Sequence, residues 1–185
     1  MFIRKDRKNI MIKVRSGMFE TNSSSEHCFC INNSTETQMF PKYEFYIRDN
    51  GSITIWDNDL NFDRGPFEIL FSVFSKAKYA IAYYKEERFD EIQDIFARAY
   101  NATNPEIKFT KFDMPHDWDD KDVIDYGYID HQSIGALPMF LDMEGITLEE
   151  FITNPKYIIV IDGDEYRFFD RYKNNGMLAS LERII

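Results

Sequence analysis

Apolar and polar residues alternate over Met11-Ile12-Lys13-Val14-Arg15 and again over His27-Cys28-Phe29-Cys30-Ile31, the period of half-buried β-strands. The polar stretch between them, centred on Asn22-Ser23-Ser24-Ser25, reads as a turn. Two further alternating runs, Tyr43 to Arg48 and Ser52 to Trp56, flank Asp49-Asn50-Gly51 and predict a hairpin whose turn needs positive φ. Pro66 suits a first helical turn and predicts a helix over Phe67 to Phe74. Lys78 to Tyr84 fits either a continuation of that helix or a strand. Over Glu86 to Tyr100 the spacing of Phe89, Ile92, Ile95, Phe96 and Ala99 gives one apolar stripe and predicts a helix. Glu106 to Phe112 alternates as a strand, and Val123 to Asp130 reads as another. Gly135 to Met143 and Thr147 to Thr153 predict short helices, the second opening on a capping box at Thr147 and Glu150. The unbroken apolar run Tyr157 to Ile161 predicts a central strand covered on both faces, and Met177 to Ile185 a closing helix. This order predicts an α+β fold: one domain, mainly an antiparallel sheet with helices packed on one face.

Composition narrows the class. The 185 residues suit one domain over 11–185 preceded by a basic leader over 1–10. A hydrophobic content of 44%, with 16% aromatic, is ample for a packed core. The net charge of −10 is uneven: residues 1–15 hold six Lys and Arg against one Asp, leaving −15 on the remainder. Such a body repels nucleic acid and is drawn to basic surfaces. The sequence holds no apolar run long enough to span a membrane, and no apolar stretch follows the basic start as in a secretory signal. Cys28 and Cys30 suit neither a redox pair nor a complete zinc site, and read as buried thiols in a reducing cytoplasm.

Candidate chemistry gathers in two places. Asn22, Ser23, Ser24, Ser25 and His27 form the first, and Asp130, His131 and Ser133, with Gln132 between them, the second. Ser and Asn stabilise turns by bonding nearby backbone, and Asp130-His131 can cap a strand. If the two segments meet, they offer two imidazoles, an orienting carboxylate and several hydroxyls. That set could cleave a phosphodiester by acid–base catalysis without metal, or activate a serine. From 113 to 130 there are seven aspartates and one basic residue, with Asp117, Asp119, Asp120 and Asp122 on a loop too acidic to bury. These four are candidate binding residues, and with His116 they could hold a divalent metal, although no cofactor is required. Asp57, Asp59 and Asp63 fail the calcium-loop pattern, and the carboxylates of Asp162-Gly163-Asp164-Glu165, at a strand end where nuclease metals can be held, are explained as well by an ordinary strand-to-strand turn. No phosphate-cradling glycine loop is present, which disfavours nucleotide-dependent enzymes.

The run Val14 to His27, with Phe19-Glu20-Thr21-Asn22-Ser23-Ser24-Ser25-Glu26-His27 at its centre, resembles the opening of a group of small proteins from Firmicutes and their phages. Tyr128-Ile129-Asp130-His131-Gln132-Ser133 is similar to a recurrent element of that group. Glu26 departs from the small residue usual there, and residues 1–10 precede the usual start. The resemblance implies a mobile-element setting and, with the acidity, a counter-defence protein of the anti-CRISPR type. Its expected partner is a Cas effector or the effector's guide RNA complex in the bacterial cytoplasm. The alternative is a nuclease or other hydrolase that acts on nucleic acid such as guide RNA through His27 and His131.

Overall fold

The alternation of the early strands and the unbroken run at 157–161 meet in one sheet. The computed structural model describes residues 12–14, 26–32, 40, 44–63, 68–104, 106–130 and 135–162. Strands β1 (Ile12–Val14) and β2 (Glu26–Asn32) pair antiparallel, as the polar connection between them requires. After β3 (Ser52–Thr54), β4 (Asn61–Phe62) and β5 (Glu68–Leu70) come helices α1 (Val73–Tyr84) and α2 (Phe89–Thr103). Strands β6 (Lys111–Asp113) and β7 (Tyr128–Ile129), helices α3 (Ala136–Glu144) and α4 (Leu148–Thr153), and strand β8 (Tyr157–Asp162) complete the order.

The main sheet runs β1-β2-β8-β5 and is antiparallel throughout. The fold is α+β, but its strands are not mainly antiparallel as expected, because β3 with β6 and β4 with β7 form two separate parallel pairs. β8 is the central strand that the apolar run predicts. Tyr157, Ile159 and Ile161 face the main core, whereas Ile158 and Val160 join Cys30 in a smaller cluster on the opposite face. On the helix side, Phe29 stacks on Phe140 at 5.2 Å between ring centroids and meets Phe151 and Tyr79 at 5.9 Å. A second aromatic centre forms around Phe96 of α2, which touches Phe109 at 4.8 Å and Phe112 at 4.9 Å.

Other local expectations shift. The helix expected over 67–74 is instead β5 followed by Ser72, whose hydroxyl accepts from Ser75 N and caps α1. The stretch 78–84 belongs to α1. The expected hairpin retains its turn, with Gly51 at φ +83°, but its pairing shrinks to one bridge, Ile47 with Ile53. The strands expected over 106–112 and 123–130 shorten to β6 and β7. The leader and the closing helix expected over 177–185 lie outside the described residues.

Lys76 locks these elements together. It lies wholly buried on α1, and its ammonium donates to the carbonyls of Phe151 at 2.9 Å, Asn154 at 2.8 Å and Tyr157 at 3.0 Å. Helix ends leave carbonyls without intrahelical donors, and this single side chain serves the end of α4 and the start of β8. Burial pulls its pKa down to about 7. The three carbonyls pull the other way, since only the charged form supplies three N–H donors. Lys76→Met would strand those carbonyls and is expected to cost about 3 kcal/mol. Urea unfolding of the two proteins measures this, and equal midpoints and slopes would show that the clasp adds no stability.

Candidate functional site

His27 opens the buried part of β2, opposite Ile161 of β8. It is 0% exposed, and its Nδ1 shares a hydrogen bond of 3.0 Å with the hydroxyl of Tyr79 on α1. The two rings meet edge-on at 5.7 Å, and Tyr79 also packs against Phe62 of β4 at 5.1 Å. Phe62 in turn accepts a backbone bond of 3.0 Å from Asp130 N, just beyond β7. The β4–β7 pair therefore delivers Asp130, itself 2% exposed, to the end of the main sheet where His27 lies.

Asp130 acts on His27 electrostatically, as does Asp63. Burial still dominates: it lowers the imidazole from 6.5 to about 4, with Asp130 and Asp63 only partly opposing it. Burial also drives the Tyr79 hydroxyl upward, so both partners are neutral near pH 7. His27 Nε2 has no hydrogen-bond partner among the described residues.

Of the two segments expected to share acid–base chemistry, the structure brings together His27 and Asp130. Asn22, Ser23, Ser24, Ser25, His131 and Ser133 lie outside the described residues. His27 touches no solvent, so its surroundings are those of a core histidine held by a tyrosine. Tyr79 was not legible as its partner, because it sits 52 residues away inside an apolar helical run.

The acidic loop with the candidate binding residues forms a short arm beyond β6. His116 bridges Ile124, Asp117 N donates to Val123 O at 2.9 Å, and Asp125 N donates to Pro115 O at 3.0 Å. Asp117 Oδ1 accepts from the backbone of Asp119 at 2.8 Å and Asp120 at 3.2 Å, and Asp120 Oδ1 from Asp122 N at 3.0 Å. These are Asx turns, the ordinary structural reason for aspartates in such a loop. Asp117, Asp119, Asp120 and Asp122 are all exposed, and Trp118 beside them is 93% exposed. Among the described residues, no three His, Cys, Asp or Glu side chains are grouped to hold a metal ion. No described helix is long and apolar enough to cross a membrane.

No family model, curated protein or solved structure matches this chain.

The His27 pocket has a measurable signature. Between pH 6.5 and about 4 the unfolded chain binds a proton that folded His27 refuses, so stability falls as the pH drops through this window. The loss amounts to about 3 kcal/mol. His27→Gln lacks this titration, so the stability difference between wild type and variant should move against wild type by that amount. Urea unfolding of both proteins across the window tests it, and a constant difference would rule out a buried neutral imidazole.

Proposed function

We propose that this chain is an acidic binding protein of the counter-defence type, which occupies a basic nucleic-acid channel on a Cas effector or a similar enzyme. The observation that carries the reading is the arm, where Asp117, Asp119, Asp120 and Asp122 stand exposed on a backbone closed by its own hydrogen bonds. Carboxylates held in a fixed row compete with phosphates for the same Lys and Arg side chains, and need no catalytic group to do so. The net charge of −10 attracts such a channel at long range. The resemblance at the serine motif supplies the mobile-element setting. Trp118 gives the arm an apolar anchor beside its charges.

The second reading, a hydrolase using His27 and His131, draws on the charge of Asp130 beside His27. The complete burial of His27 weighs against it, since a general acid or base must reach its substrate.

A Cas effector loaded with labelled guide RNA separates the two. The expected result is blocked target cleavage at equal stoichiometry with the guide intact. Affinity should fall as salt rises, and replacing the four arm aspartates by Asn should weaken it by about tenfold or more. Guide shortening at substoichiometric protein would transfer the assignment to the hydrolase, and target cleavage unaffected at equal stoichiometry would end the inhibitor reading.

A further inference from the structure

Two exposed aromatic rings belong neither to the arm nor to the His27 pocket. Ile53 and Ile55 are buried, and on the opposite side of the extended chain exposure rises from a buried Ser52 through a half-buried Thr54 to an exposed Trp56. The bridge between Ile47 and Ile53 places Tyr46 across from Thr54 and diagonally from Trp56, within reach of an aromatic side chain. Tyr46 is 76% exposed and Trp56 is 68% exposed. Arg48 and Lys111 share this face, bonded to Asp113 at 2.7 Å and 2.8 Å. Trp56 is fixed by its backbone: its N–H donates to Asp59 Oδ2 at 3.0 Å and its carbonyl accepts from Asp59 N at 2.8 Å.

A lone exposed apolar residue needs no explanation, but Tyr, Trp and Arg on one face are the residue types that dominate binding energy at protein interfaces. Charge selects the partner. Arg48 and Lys111 are both bonded to Asp113, and the exposed Asp49 and Asp57 flank the two rings, so with the aspartates of the arm the neighbourhood holds an excess of carboxylates that attracts cations. β6 also leads through Asp113 directly into the acidic arm, which makes the two surfaces continuous.

We propose that the outward face of β3 and β6, centred on Tyr46, Arg48 and Trp56, is the short-range docking surface for a basic protein, whose arginine side chains lie across the two rings. This inference rests on the reading above, that the chain binds a basic protein surface. The arm supplies long-range attraction, and the aromatic face discriminates guanidinium from ammonium, since a planar cation stacks on a ring and a compact one does so less well.

Dye-labelled oligoarginine and oligolysine of equal length, titrated into the full chain and followed by fluorescence anisotropy, test the division of labour. Wild type should bind oligoarginine about fivefold tighter than oligolysine. The double substitution Tyr46→Ser with Trp56→Ser should erase that preference and leave oligolysine binding unchanged. Both side chains are exposed, so the variant should keep the wild-type circular dichroism spectrum and melting temperature. Replacing the four arm aspartates by Asn should weaken both peptides alike and preserve the preference. Equal binding of the two peptides by wild type, or a preference that survives the double substitution, would overturn the docking face while leaving the acidic binder intact. Failure of wild type to bind either peptide at low salt would overturn both. Labelled oligothymidylate that binds wild type and loses affinity in the double variant would reassign the face to single-stranded nucleic acid.

Discussion

A single ammonium, that of Lys76, meets three demands that the fold cannot meet with backbone alone. β8 begins a few residues after α4 ends, and the carbonyls of Phe151, Asn154 and Tyr157 at that junction turn toward Lys76 of α1, two of them in buried bonds. An unpaired buried carbonyl costs as much as a lost hydrogen bond. The long stem of Lys76 carries its donors into that space while its methylenes pack on the core. β8 is the strand on which β2 and β5 both pair, so the position of the whole main sheet against the helices depends on this junction.

His27, a second buried titratable group, follows opposite logic. His27 is surrounded by rings and one hydroxyl, not by acceptors enough for a cation, and so it is held neutral. Asp130 and Asp63 are near enough to act on it without restoring the charge. Burial lowers both groups, Lys76 to about 7 and His27 to about 4, and the two differ in how many carbonyl partners each side chain finds.

Much of the architecture is legible in the sequence because it rests on local period. The stripe on α2, the capping residue Thr147 and the apolar run of β8 all act within a few residues, and each lies where its pattern predicts, within three residues at the ends. The failures have one cause. Glu68 to Leu70 becomes a strand because β8, some ninety residues later, offers it an edge, and this pairing overrides the helix signal of Pro66. Alternation carries no direction, so nothing in Ser52 to Thr54 or Lys111 to Asp113 discloses that they pair in parallel. Candidate chemistry was legible as residue types only. That His27 and Asp130 approach one another follows from the β4–β7 pairing, whereas the partner of His27, Tyr79, is hidden in a helix.

The two parallel pairs have a consequence for how the chain reaches its native state. β3 meets β6, and β4 meets β7, across separations of about 60 residues, with α1 and α2 in between. Neither pair can close until those helices have been laid down and turned back, so each contact bears a large loop-closure entropy before it gains any hydrogen bond. The contact between α1 and α2, by contrast, closes only a short loop. The segment that delivers Asp130 to His27 is thus held by a two-residue ladder that gains few hydrogen bonds for the length of chain it closes.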